Sequence, residues 1–135
     1  GLRAAVSAAG RPQRAVTVVH VDSLQGQAGY AAAPQVLESR PDAVFCANDV
    51  VALGVLRGLL EAGVRVPDDV ALVGYDDIEF ATTAAVPLTS VRQPALEIGR
   101  TAATLLLAEC DAALDHRHEN VVFQPELVVR RSSTA

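Results

Sequence analysis

Three polar clusters in this 135-residue sequence each follow an apolar run rich in β-branched residues. Asn48-Asp49 follows AVFCA (Ala43–Ala47), Asp76-Asp77 follows VALVGY (Val70–Tyr75), and Arg92-Gln93 follows LTSV (Leu88–Val91). In a parallel α/β sheet, ligands bind beyond the carboxyl ends of the strands. Three such ends bearing amides and carboxylates describe a pocket for a small polar molecule. A sugar matches well, because its hydroxyls donate to Asp and accept from Asn or Gln amides. Each cluster also has a plainer use. Asn48 is a competent helix N-cap with or without a ligand. Asp76-Asp77 reads equally as a turn that satisfies backbone amides. As two carboxylates it could hold a divalent metal or accept a phosphoryl group, but the Lys usual in a phosphoacceptor pocket is missing. Gln93, before Pro94, also suits an ordinary turn.

Other chemistry finds little support. All 11 basic residues are Arg, so a Walker A loop, a Schiff-base lysine and a Ser-Lys dyad are excluded from these residues. No G-x-G-x-x-G occurs, and Ser7, Ser23, Ser39 and Ser90 lack the G-x-S-x-G elbow. His116 and His118 form an H-x-H pair with no third ligand nearby, which reads as a solvated loop. His20 lies within an apolar run and reads as a packed, hydrogen-bonded core residue. Cys46 and Cys110 have no metal spacing and sit among apolar residues, as reduced buried thiols do. Neither enzyme activity nor a metal or cofactor is expected. The net charge of −5 argues against a nucleic-acid surface on these residues.

The elements that must place these groups follow from periodicity. Leu2–Ala9 predicts the end of a helix stopped by Gly10. Val16–Val21 (VTVVHV) predicts a central parallel strand, and Gln27–Glu38 a helix that starts late or bends at Pro34. Ala43–Ala47 and Val70–Tyr75 predict two further strands, separated by a helix that Asn48 caps and Gly63 ends after Ala62. A polar loop is expected over Asp76–Pro87, then a short strand over Thr89–Gln93 and a helix from Pro94 to about Cys110. A polar connector, Asp111–Asn120, leads to a strand over Val121–Arg131 interrupted at Pro125. Strands alternating with helices predict a Rossmann-like α/β domain with a mostly parallel sheet and flanking helices. With half its residues hydrophobic, the chain suits one globular domain. Area scaling gives a folded surface of roughly 6,700 Å². No apolar run approaches the ~18 residues of a membrane span. The absence of Met leads us to expect a fragment or a processed form. The helix from Pro94 and the helix from Asn48 are apolar over more than a single stripe. Either they are sandwiched within the fold or each presents a face to a partner, and the second suits a chain this small better.

The motifs A-N-D-x-x-A-L-G (from Ala47), V-P-x-D-V (Val66), V-G-Y-D-D (Val73), P-L-T-S-V-R-Q-P (Pro87) and E-L-V-V-R (Glu126) occur in this order. From Gly1 to Ser133 the chain closely resembles the C-terminal half of LacI/GalR-family transcriptional regulators. That resemblance implies the C-terminal subdomain of a class I periplasmic-binding-protein-like effector domain. Residues 1–93 and 119–135 would form the subdomain, and 94–112 a helix that packs on an N-terminal subdomain absent here. It places Asn48, Asp76 and Gln93 where the family contacts its effector, alongside an Arg upstream of Gly1. Leu24 falls where many members have an aromatic ring against the sugar, so the sequence departs from the pattern there. Leu53, Leu56, Thr83 and Ala84 match the family's dimer face.

The resemblance thus implies a cytoplasmic, homodimeric regulator whose small-molecule effector, a sugar or related polar metabolite, controls operator DNA binding allosterically. DNA would be met only through a helix-turn-helix headpiece outside these residues. The rival is a periplasmic sugar-binding transport receptor of the same fold. The V-R-Q-P and E-L-V-V-R-R-S blocks belong to the regulator pattern and weigh against it.

Overall fold

The computed structural model describes residues 1–111 and 118–134. Its helices are α1 (Leu2–Ala8), α2 (Gly26–Glu38), α3 (Asp49–Glu61), α4 (Glu79–Thr83) and α5 (Ala95–Asp111). Its strands are β1 (Ala43–Phe45), β2 (Ala71–Tyr75), β3 (Thr89–Arg92) and β4 (Glu126–Val128). They form one sheet in the order β1-β2-β3-β4, parallel except for the antiparallel β3–β4 pair. The expected mostly parallel α/β architecture is present. The carboxyl ends of β1, β2 and β3 therefore share one edge, which the register Arg92 opposite Glu126 extends to the start of β4.

The core lies between α3 and one face of the sheet. Ala52, Val55, Leu56 and Leu59 of α3 pack with Cys46, Leu72, Ala81 and Leu88. Asn48 begins α3 as an N-cap, its Oδ1 accepting from the Val51 N–H at 2.8 Å. Gly63, with φ of 78°, turns the chain out of the helix just after Ala62. Burial pushes the Cys46 thiol up to about 12, with the nearby Asp49 charge adding to the shift.

Helices α2 and α3 touch backbone to backbone. A methyl group on Gly54 would lie 1.9 Å from the Gly26 carbonyl oxygen, and one on Gly29 2.2 Å from that of Val51. α2 begins at Gly26, against the late start that the sequence predicted, and runs on through Pro34 while packed on α3. Pro34 leaves the Tyr30 carbonyl without its intrahelical donor, but packing on α3 holds the turn.

Several expectations are corrected. Val16–Val21 forms no strand, because β1 pairs only with β2 and no other described strand lies beside the segment. An apolar run becomes a strand only when a neighbour takes its backbone hydrogen bonds. His20 on that segment is exposed instead of packed in the core. Cys110 is exposed as well, since it sits near the end of α5, which carries no buried residue among those described. The loop predicted over Asp76–Pro87 contains α4, whose Ala81 is fully buried. The last strand is confined to Glu126–Val128, beyond Pro125. Residues 112–117 of the polar connector, His116 among them, lie outside the described residues. His118 is exposed and hydrogen-bonded to the Glu109 carboxylate at 2.7 Å.

The Gly54 contact yields a prediction. Gly54→Ala, although favoured by helix propensity, must push α2 off α3 and cost about 2–3 kcal/mol as an overpacked core substitution does. Urea unfolding checks this, and an unchanged midpoint would refute the tight contact.

Candidate functional site

The shared strand edge is organised by a carboxylate that sequence reasoning had grouped with the ligand-facing residues. Asp49, in the first turn of α3, is fully buried. Its Oδ1 accepts from Ser90 Oγ at 2.6 Å and its Oδ2 from the Ile78 N–H at 2.9 Å. The carboxylate presses on β2 so closely that a Cβ at Gly74 would lie 2.0 Å from Oδ1. Asp49 thus ties α3, β3 and the turn after β2 together, and it faces inward.

That turn separates the two aspartates. Asp76 and Asp77 both have positive φ, 104° and 54°, a region that Asp tolerates better than most residues. Asp77 points into the protein, its side chain only 4% exposed. Its Oδ2 accepts from Arg92 Nε at 2.7 Å and its Oδ1 from Arg130 Nη1 at 2.5 Å. Burial alone would push its carboxyl up, but the Arg130 and Arg92 hydrogen bonds outweigh this and hold it below the ordinary value. Arg130 also donates to the Leu88 carbonyl at 2.8 Å. A hydroxyl set completes the support: Ser132 Oγ donates to the Leu72 carbonyl at 2.6 Å and accepts from the Thr89 N–H at 2.8 Å.

Asp76 is left at the half-buried rim with Gln93. Gln93 Nε2 donates to Asp76 Oδ1 at 2.7 Å. This bond orients the amide, so Asp76 Oδ2 and Gln93 Oε1 remain as acceptors for which the structure shows no partner among the described residues. Two such acceptors on hydrogen-bonded neighbours suit a ligand that brings hydroxyl donors. Asn48 lies at the adjacent strand end, and its Nδ2 donates to the Leu24 carbonyl at 3.2 Å. The structure therefore brings Asn48, Asp76, Gln93 and the Leu24 backbone to one edge of the sheet. The Leu24 side chain is 59% exposed.

The residues of the expected dimer face also lie near one another. Leu53, Leu56 and Ala84 line an apolar groove with Arg57, Leu60, Glu61 and Ala85, whereas Thr83 is exposed outside its lining. Leu56 is nearly fully buried, so its main contribution is to the core. Arg57 and Glu61 are bonded to each other at 2.8 Å, and Tyr30 Oη donates to Glu61 at 2.6 Å. Sequence reasoning missed Ser90, Arg130 and Ser132, which bond Asp49, Leu88 and Leu72 across 41 to 60 residues. No local pattern signals such pairings.

The fold is shared with known proteins. The family of periplasmic binding protein-like domains matches residues 1–133. The HTH-type transcriptional repressor PurR of Vibrio parahaemolyticus is 45% identical over 98 residues, covering 71% of this chain and 28% of that protein. A LacI-family transcriptional regulator from Enterococcus faecium with bound ribose is similar in structure, with a TM-score of 0.86 at 30% identity. That match covers 97% of this chain and 48% of the other. The transcriptional regulator CelR in complex with cellobiose gives a TM-score of 0.85 at 36% identity, over 97% of this chain and 40% of that one. The fold is thus that of a periplasmic-binding-protein-like domain. Within that class, the chain belongs to the effector-binding domains of LacI-family transcriptional regulators. It spans 28% of the length of the curated relative. No helix among the described residues is long and apolar enough to cross a membrane.

The double ion pair at Asp77 sets a prediction. Asp77→Asn leaves Arg130, with a side chain 15% exposed, short of its partner and should cost about 3 kcal/mol. Because the folded carboxyl titrates below its unfolded value, its stabilisation is complete above the ordinary carboxylate range. It is lost as pH falls through the depressed value. Acid unfolding curves of the wild type and Asp77→Asn should therefore converge at low pH, and parallel curves would refute the assignment.

Proposed function

We propose that this chain forms one wall of the effector pocket of a regulator and pairs with a second copy of itself. The observation that carries the reading is the Asp76–Gln93 pair, with free acceptors at the carboxyl ends of β2 and β3. A polyol or sugar satisfies those acceptors with adjacent hydroxyls, and Leu24 offers an aliphatic surface beside them. Leu cannot stack on a sugar face as an aromatic ring does, so hydrogen bonding at Asp76 and Gln93 dominates recognition. The bound ribose and cellobiose of the similar regulators support a sugar-like effector. The effector favours one closure of this wall against the N-terminal subdomain, and that closure sets the operator affinity of the headpieces. The regulator reading is preferred to the transport receptor because the relatives are transcriptional regulators.

A panel of pentoses, hexoses and disaccharides, titrated into isotopically labelled protein, tests the pocket. Resonances of Asp76, Asp77 and Gln93 should shift with at least one sugar, and Asp76→Ala should weaken that sugar by more than about tenfold, as loss of a charged acceptor does. No shift across the panel would overturn the sugar reading.

Self-pairing is tested by light scattering over a concentration series. The groove of Leu53, Leu60, Ala84 and Ala85 suits a two-fold contact, in which the same patch meets itself. The wild type should dimerise, and Leu53→Glu should be monomeric without unfolding, since Leu53 is only half-buried. Leu56→Glu is unsuitable because it would place a charge in the core. A wild type that stays monomeric at high concentration would remove self-pairing and favour the transport receptor.

A further inference from the structure

We propose that Asn48 is a positioning residue, whose amide latches the loop of residues 22–25 to the strand ends and so fixes where Leu24 meets an effector. The role deepens the effector reading above and takes its purpose from it. By residue type Asn48 looks like a ligand-binding amide, yet both ends of its side chain are engaged within the protein. Oδ1 caps α3 through the Val51 N–H at 2.8 Å, and Nδ2 donates to the Leu24 carbonyl at 3.2 Å.

The second bond has an unusual place in the fold. Among the described residues it is the one hydrogen bond that reaches residues 17–24. No ladder holds the Val16–Val21 segment, and Gln25, the N-cap of α2, makes no side-chain cap bond. From Gly26 onward the backbone is fixed by its close contact with Gly54. The loop is thus held by packing on its α2 side and by the Asn48 amide at Leu24. Without the amide, Leu24 would sample more positions, and a ligand covering it would have to order the loop as it binds.

Two variants separate this role from helix capping. Asn48→Asp and Asn48→Ser both keep an N-cap acceptor for Val51. The carboxylate has no proton to give the Leu24 carbonyl, and the serine hydroxyl is too short to reach it. Leu24→Ala is the control, since it keeps the carbonyl and therefore the latch. The readouts are backbone ¹⁵N order parameters of residues 22–25, amide exchange in α3, the melting temperature, and the affinity of any panel sugar that shifts the wild-type spectrum. Order parameters at Ser23–Gln25 should fall from about 0.85 to below about 0.6 in both Asn48 variants and stay high in Leu24→Ala. Exchange in α3 and the melting temperature should hold. Affinity for a bound panel sugar should fall about fivefold, the worth of one neutral hydrogen bond.

Unchanged order parameters in both variants would overturn the latch. So would faster exchange along α3 without a change in the loop, which would make Asn48 a cap and nothing more. Lost sugar affinity with an unchanged loop would make Asn48 a direct ligand contact, again against the proposal. If no sugar shifts the wild type, the sugar reading fails while the order parameters still decide the latch.

Discussion

The candidate site depends on one buried carboxylate. Asp49 is fully buried, and the only acceptable state for such a group is one in which its oxygens find donors. Ser90 Oγ and the Ile78 N–H supply them, from β3 and from the turn after β2. Satisfying Asp49 therefore fixes three separate stretches of chain at once. It also dictates Gly74, since any side chain there would strike Oδ1. Strand β2 must pass bare beneath the first turn of α3 before the chain can turn out toward Asp76. A charge placed for burial thus decides where the exposed polar groups emerge.

The turn that follows shows how a strained backbone is held. Positive φ at two successive aspartates costs of order 1–3 kcal/mol each, so something beyond the turn must enforce it. Asp77 does so through Arg92 and Arg130, and Asp77 N–H adds a bond to Ser90 Oγ at 3.0 Å. Ser90 therefore serves both aspartates, donating to Asp49 and accepting from Asp77. With Asp77 drawn inward, the reversed backbone leaves Asp76 at the rim. Gln93 then meets it from the end of β3. The two acidic neighbours have divergent roles because one is paired with Arg92 and Arg130 and the other is left at the rim.

These features were unequally legible in the sequence. The three strand ends, the Asn48 cap and the Gly63 stop rest on local rules, and the structure follows them. The strand-end rule put Asp76 and Gln93 beyond neighbouring strands, and the structure has them there, hydrogen-bonded to each other. Their mutual hydrogen bond was not foreseen, and neither was the inward turn of Asp77, because Arg130 lies 53 residues away. His20 and the Val16–Val21 strand were misread for a related reason. Apolar, β-branched composition reports a preference for extended, covered backbone, and it says nothing about whether a neighbour is present. Cys110 repeats the lesson on α5, where apolar residues surround a thiol that stays exposed. Gly29 and Gly54 stand inside helices without any local signal of their purpose, which is that backbone atoms occupy the places where their side chains would stand.

The distribution of surface follows from the same division. The chain exposes 9,279 Å², well above the roughly 6,700 Å² of a compact domain of its mass. Part of that excess is apolar and unevenly placed: Val18 before the loop, Leu96, Leu106 and Leu107 on α5, and Val121 and Val122 after it are all exposed. The chain thus combines a rigid block, made of α2, α3, β2 and β3 and cross-linked by buried polar groups, with peripheral segments held by few bonds. A ligand at Asp76 and Gln93 would press on the block, where displacement breaks several satisfied contacts at once. At Leu24 it would press on a loop held by the Asn48 amide and by packing on its α2 side. The free energy of such a contact must therefore be taken up at the periphery, because that is where the structure offers the least resistance.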